Sequence, residues 1–338
     1  AVLAGLDTAA IATLCRLDLP DRLTRPTPIT ALAGDLGVDA HRLERLLRYA
    51  AARGWLRIDR QGRVRATRVT RFLRRDHPGG WRAWVEFASG AEVGAAIAAL
   101  DAGLRSDGDA FATANGAPFF TWMQDHPDRH ATFDAAMAAG GRMHGLLLAR
   151  TLGWDTNRRV CDIGGGDGTL LGVLLARHPH LQGVLLELPE VVARAPTHPR
   201  VTPVAGDAFA AVPEGCDTYL FVNVLHDWDD AAAVDLLRVA ADIARAEPLG
   251  RIVVLESEAH DRPRDDLATR ADLLMLALTP GGRERSTDEF SALAARAGLQ
   301  LQRTHRLASG DVAHMLVPVR RAPHMPRPPV TSTTAPVT

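Results

Sequence analysis

The sequence predicts an α/β fold: an open, mostly parallel sheet with helices on both faces, preceded by a smaller helical domain with a β wing. Three observations predict it. From residue 159 onward, short apolar runs alternate with helical patterns, as a parallel sheet requires. The first run leads through Asp162-Ile163-Gly164-Gly165-Gly166-Asp167-Gly168 into a helix start at Thr169, so a glycine turn joins strand to helix. Ahead of these, residues 29–67 read as helix, turn, helix and two short strands, a winged-helix pattern.

Taken in order, residues 8–19 carry Ile11, Leu14, Cys15, Leu17 and Leu19 at helical spacing, and Pro20 is expected to end that helix. A helix over 29–39 stops at glycine, and another over 41–54 puts Leu43, Leu46, Leu47 and Ala50 on one face. Strands at 55–58 and 63–67 flank a turn at Arg60-Gln61-Gly62. Residues 81–150 read as helical, interrupted around 107–118. The later strands are expected at 184–187, at 201–209 with Asp207 at its end, at 217–225, at 251–256, and as a terminal pair at 299–306 and 314–319. Helices fall at 231–246 and from Leu267 and Thr287. The expected division is 1–100 for the winged-helix domain, 101–150 for a helical connector, 151–320 for the α/β domain, and 321–338 for a disordered tail rich in proline and threonine.

A chain of 338 residues with a formal net charge of −1 has ample core and no global field toward nucleic acid or membrane. Cys15, Cys161 and Cys216 show neither disulfide nor metal spacing, and Cys161 reads as a small core residue. Such cysteines fit a reducing, cytoplasmic setting, which is the expectation; no signal peptide or long apolar span is visible. The basic run from Arg42 to Arg68 leaves one alternative outside enzymes, a winged-helix DNA-binding regulator.

The glycine turn carries the chemistry. Glycines accept positive φ and let a ligand approach the main chain, and the N–H groups opening the helix favour an anionic or polar ligand group. The spacing at Gly164, Gly166 and Gly168 puts Thr169 where a dinucleotide fingerprint wants glycine, and the absence of lysine removes a Walker loop. Glu187 ends the second strand, where a carboxylate accepts both bonds of a ribose diol; Asp207 and Phe209 follow the third, where an acid and a ring suit an adenine.

With these motifs in place, the chain resembles class I S-adenosylmethionine (SAM)-dependent methyltransferases. Within them it is similar to the small-molecule O-methyltransferases of plant phenylpropanoid and bacterial polyketide pathways. The resemblance spans nearly the whole chain. It is carried by the glycine turn, Leu188-Pro189 after Glu187, Gly206-Asp207-Ala208-Phe209, Leu225-His226-Asp227-Trp228-Asp229-Asp230, and Pro280-Gly281-Gly282-Arg283-Glu284-Arg285. It implies a Rossmann-like methyltransferase sheet behind an N-terminal all-α, winged-helix dimerisation domain, a homodimer, SAM as cofactor with S-adenosylhomocysteine (SAH) as product, and no metal. It places Asp162, Gly164, Gly166, Glu187, Leu188, Gly206, Asp207, Ala208, Phe209 and Asn223 at the cofactor. Asn223 and Val222 stand where relatives carry a basic or hydroxyl residue. Trp122, Met137, Met143, Asp227, Met275 and Thr279 are the expected substrate contacts.

Methyl transfer to a hydroxyl needs alignment and a base. His226 follows the fourth strand at the sheet edge where ligands bind. The pKa gap between a phenol and an imidazole makes proton transfer about 5 kcal/mol uphill, so a carboxylate that stabilises the imidazolium is needed. By the resemblance, Glu256 and Glu284 flank His226. Asp227 and Asp230 are expected to open the next helix by accepting its N–H groups, and Trp228 to pack. The resemblance implies an O-methyltransferase for an aromatic or polyketide-like metabolite. The alternatives are transfer to carbon or nitrogen, or a SAM-using relative that no longer methylates.

Overall fold

The computed structural model describes residues 3–105 and 109–319, so the tail expected over 321–338 lies outside the described residues. The N-terminal part packs helices Ala4–Arg16, Ile29–Leu36 and Ala40–Ala52 on a small antiparallel sheet of β1 (Thr27–Pro28), β2 (Leu56–Ile58) and β3 (Arg63–Ala66), with β3 in the middle. Leu14, Leu32, Leu43, Leu47, Leu56 and Val64 meet in its core. Asp39 caps the helix Ala40–Ala52 by accepting the Arg42 N–H at 2.8 Å. Of the basic residues in this region, Arg53 pairs with Asp7, Arg63 and Arg65 with Asp59, and Arg48 with Glu44.

The first helix corrects one expectation. It ends at Arg16, where Asp18 turns left-handed, and Pro20 sits in the first turn of the short helix Leu19–Arg22. Proline lacks only an N–H that a first turn leaves unpaired anyway, so it starts a helix as readily as it stops one.

Helices Trp81–Ala88, Ala91–Ala98, Ala110–Asn115, Phe119–Asp125 and Pro127–Thr151 follow. The helix Ala110–Asn115 lies in the stretch expected to be interrupted. Phe87, Phe111, Phe119 and Met123 form an aromatic-rich core between these helices, against which Trp122, Phe133 and Met137 pack.

The large sheet contains β4 (Arg159–Ile163), β5 (Gln182–Glu187), β6 (Val201–Ala205), β7 (Thr218–Val222), β8 (Arg251–Glu256), β9 (Leu299–Arg306) and β10 (Val312–Pro318), in the order β6-β5-β4-β7-β8-β10-β9. The first five strands are parallel; β10 runs antiparallel between β8 and β9. Central strands covered on both faces must be apolar throughout, and β4, β7 and β8 are buried along nearly their whole length. One face carries the helices Asp230–Ala244 and Thr287–Arg296; the other carries Thr169–Arg177 and the end of the long helix Pro127–Thr151.

Strand order places the site. The chain winds outward from β4 through β5 to β6, then returns to lay β7 on the other side of β4. The loops after β4 and β7 therefore leave in opposite directions and open a crevice at their carboxyl ends. Two strand ends differ from expectation. The third strand stops at Ala205, two residues before Asp207, and the fourth at Val222, because Asn223 is left-handed at φ 53° and turns the chain.

Asp311 and His314 are buried polar groups, just before and on β10. Asp311 accepts from Ser257 Oγ at 2.9 Å and lies 3.1 Å from His144 Nε2, tying the long helix to the end of β8. Burial raises the Asp311 carboxyl, but its hydrogen bonds outweigh that and hold it at about 2. His314 on β10 is fully buried, with neither ring nitrogen paired, and burial holds its pKa down to about 4. Its neutral form fits the fold, whereas the unfolded chain takes up a proton as pH falls below the ordinary 6.5. Stability is thus fully present above that value and is lost as pH drops toward 4. His314→Leu should raise stability, and its advantage should grow by about 2 kcal/mol between pH 7 and pH 5. Urea denaturation at both pH values reads this; equal gains at both would refute it.

Candidate active site

Where β4 ends, Gly164, Gly166 and Gly168 all take positive φ and fold the main chain into a cradle ahead of the helix Thr169–Arg177. Asp162 lies beneath it, 1 % exposed, with Oδ2 unpaired, and a Cβ at Gly165 would stand 2.5 Å from that oxygen. Burial, aided by the Glu187 charge, pushes the Asp162 carboxyl up to about 7. Glu187 closes the cradle from β5: Oε1 accepts the Gly166 N–H at 3.3 Å and Oε2 the Leu188 N–H at 2.6 Å. Burial raises its carboxyl despite those bonds.

The next loop returns to the same edge. Gly206 donates to Glu187 O at 3.0 Å, and Asp207 Oδ1 accepts the Phe209 N–H at 2.9 Å, so Ala208 sits in a tight Asx turn. The Phe209 ring meets Trp228 edge-on at 4.8 Å, and Trp228 lies near parallel to Phe120 at 6.3 Å. Trp228 thus links this loop to the helical domain. Asn223 donates to Leu255 O at 2.9 Å, which fixes the exit from β7 beside β8.

His226 lies in the 3-10 turn Leu225–Asp227 just beyond that exit. Its Nδ1 is 3.1 Å from Glu256 Oε2 and 3.2 Å from Glu284 Oε1, ion-pair contacts rather than aligned hydrogen bonds. The other Glu256 oxygen accepts the N–H groups of Val224 and Leu225 at 3.1 and 2.8 Å. One carboxylate therefore fixes both the ring and the backbone that bears it. Glu284 arrives on a segment running alongside the extension of β8, and its N–H donates to Asp272 at 2.9 Å. His226, Glu256 and Glu284 offer ligand atoms within 4.8 Å of one another, and the attraction between an imidazolium and two carboxylates accounts for the contacts.

Of the two residues expected at the start of the following helix, Asp230 is there and Asp227 is not; the capping carboxylate is Asp229, which accepts the Ala232 N–H at 2.8 Å. Asp230 is the first helical residue and pairs with Arg283 and Arg285. Asp227 stays in the turn, its Oδ1 3.6 Å from His226 Nε2. Burial pushes its carboxyl up to about 7, opposed by the His226 charge. For His226 itself burial opposes the charge, but Glu256, Asp227 and Glu284 outweigh it and hold the imidazole well above its ordinary pKa.

The expected substrate contacts lie on the helices Phe119–Asp125, Pro127–Thr151 and Leu267–Leu278 and just past the last of these, with Asp227 in the His226 turn. Trp122 stacks on His126 at 3.6 Å and packs with Met137 on the aromatic core. Met143 is 41 % exposed, whereas Met275 is buried. The Thr279 hydroxyl serves its own turn, donating to Met275 O and accepting from Gly282 N, both at 2.9 Å.

An O-methyltransferase domain matches residues 97–300, and an O-methyltransferase dimerisation domain matches residues 3–76. The chain belongs to the O-methyltransferase family. It is a SAM-dependent O-methyltransferase, and its winged helix is the family's dimerisation domain. This methyltransferase is 33 % identical to the O-demethylpuromycin-O-methyltransferase of Streptomyces alboniger, over 85 % of this chain and 79 % of that one. It is 32 % identical to an 8-amino-8-demethylriboflavin N,N-dimethyltransferase of Streptomyces davaonensis, over 88 % of each. Among solved structures it is similar to NcsB1 of neocarzinostatin biosynthesis, an O-methyltransferase in complex with SAM and 2-hydroxy-5-methyl naphthoic acid. The two share 30 % identity and a TM-score of 0.76, with 92 % of this chain and 96 % of the other covered. Among the described residues, no helix is long and apolar enough to cross a membrane.

Proposed function

We propose that this methyltransferase transfers the methyl group of SAM to a hydroxyl of an aromatic or polyketide-like metabolite, with His226 as general base. One observation carries the reading: His226 is held by two buried carboxylates at the carboxyl end of β7, beside a glycine cradle at the carboxyl end of β4. The unpaired Asp162 oxygen, the cradle and Glu187 suit SAM; Leu188, Gly206, Asp207, Ala208, Phe209 and Asn223 complete its surroundings. Bound there, SAM supplies a methyl group already activated on a sulfonium.

The chain's own residues do the rest. Nδ1 faces Glu256 and Glu284, which leaves Nε2 as the atom that takes the hydroxyl proton. The carboxylates stabilise the imidazolium so formed. They also favour it beforehand, holding the His226 pKa of the free protein well above its ordinary value. A neighbouring positive charge would work against them and lower that pKa. The His226 pKa, followed by NMR on histidine-labelled protein, should therefore be lower with SAM than with SAH, which lacks the sulfonium charge. Equal values would remove this coupling.

Trp122, Met137, Met143, Asp227, Met275 and Thr279 are proposed to border the acceptor, within a protein divided at 1–100, 101–150 and 151–320. The dimerisation domain supports a homodimer, and a reducing cytoplasm suits the three free buried cysteines. The test is incubation with SAM and a panel of hydroxynaphthoates, aminohydroxybenzoates and arylamines, with and without EDTA. A mass gain of one methylene on a phenol, unaffected by EDTA, is expected. Gain on arylamines alone would favour nitrogen transfer, which the N,N-dimethyltransferase relative supports. No gain and no SAM binding would overturn the reading.

A further inference from the structure

We propose that Arg285 is a positioning residue for His226: its guanidinium grips the turn that carries the imidazole from both ends and ties it to the segment that carries Glu284. The inference rests on the reading of His226 as the base. Arg285 is fully buried, which for an arginine demands complete pairing. Nη1 donates to Leu225 O at 2.8 Å and Nη2 to Trp228 O at 2.7 Å, while Nε donates to Asp230 at 2.9 Å. Leu225 and Trp228 bracket His226 and Asp227. Leu225 O, which also accepts the Trp228 N–H at 3.3 Å, and Trp228 O are thus held by one rigid plane, and a carboxylate neutralises it. A lysine cannot reproduce this fork.

The other half of the grip is steric. A Cβ at Gly282 would stand 2.4 Å from His226 O and 2.9 Å from the Asp227 carbonyl carbon. Residues 282–285 therefore touch the His226 turn at three places: the Gly282 backbone against its carbonyl, the Glu284 carboxylate against its ring, and the Arg285 guanidinium against its two ends. Arg285 O also accepts the Ala259 N–H at 3.1 Å, which fixes the segment to the chain leaving β8, three residues after Glu256. Glu256 holds the start of the turn through the Val224 and Leu225 N–H groups, and Arg285, a side chain that does not touch the ring, sets how the turn sits against Glu284.

The test compares Arg285→Lys, Asp230→Asn and Gly282→Ala. Each is assayed for SAH affinity by calorimetry, for turnover against pH, and for the His226 titration by NMR. Asp230 is partly exposed, so Asp230→Asn keeps the question answerable should Arg285→Lys not fold. Displacement of a reacting group by about an ångström costs about 10²-fold, so kcat should fall by up to that factor for Arg285→Lys and Gly282→Ala, and several-fold for Asp230→Asn. SAH affinity and acceptor KM should change little, and the His226 pKa should move toward that of a free imidazole as its carboxylates slip out of register. Folded variants with wild-type turnover and titration would overturn the proposal. So would lost turnover with an unmoved His226 titration, which would show a merely structural role. Activity retained by His226→Ala would defeat the base reading instead, while the titration would still report whether Arg285 sets the ring's surroundings.

Discussion

His226→Ala is expected to lower turnover by about 10²–10⁴-fold while SAH binds as before. The expected loss is that of a positioned general base. Asp227 lies 3.6 Å from Nε2 and burial raises its carboxyl to about 7, so it is the alternative acceptor behind any residual rate. A phenol proton must climb about 5 kcal/mol to reach a free imidazole, and Glu256 and Glu284 supply the opposing stabilisation through Nδ1. Removing the ring also leaves two buried carboxylates facing each other without a positive partner, at a cost in stability. His226→Gln should therefore be run alongside, since its amide can still donate to them. Single-turnover methylation by mass spectrometry and SAH calorimetry separate chemistry from binding. Undiminished turnover in both variants would rule out His226 as base.

Glu187→Ala should weaken SAM and SAH binding by about 10²–10⁴-fold, with turnover at saturating cofactor much less affected. Two hydrogen bonds to a charged acceptor contribute about 1.5–3 kcal/mol each, and both depend on this carboxylate. A second cause is local. Glu187 also accepts the N–H groups of Gly166 and Leu188, so its loss releases the glycine cradle it braces. Glu187→Gln keeps an acceptor but no charge and should fall between. Calorimetry with SAH reads all three proteins, and an unchanged affinity for the alanine variant would detach Glu187 from the cofactor.

Much of this site was legible before the fold. The glycine cradle is local: five consecutive residues turn a strand into a helix, and three of them, Gly164, Gly166 and Gly168, take positive φ, which glycine adopts cheaply. Glu187, His226 and Glu256 each stand at or just past the end of an apolar run, and strand ends in a parallel sheet share one edge. The cap is harder to read, because three aspartates follow His226 within four positions, and any of them can open a helix on propensity alone. The choice fell to Asp229 once Arg283 and Arg285, more than fifty residues further on, engaged Asp230.

The sequence by itself determined the succession of strands and helices, the glycine cradle and the types of side chain at each strand end, since these follow from hydrophobic period and backbone preference over a few residues. Only the tertiary structure decided that β10 lies between β8 and β9, that Asn223 turns left-handed beside β8, and that Arg285 holds the His226 turn. Those are pairings between distant segments. Local pattern leaves them open, and they are settled by which buried carbonyls and charges find partners when the segments close together.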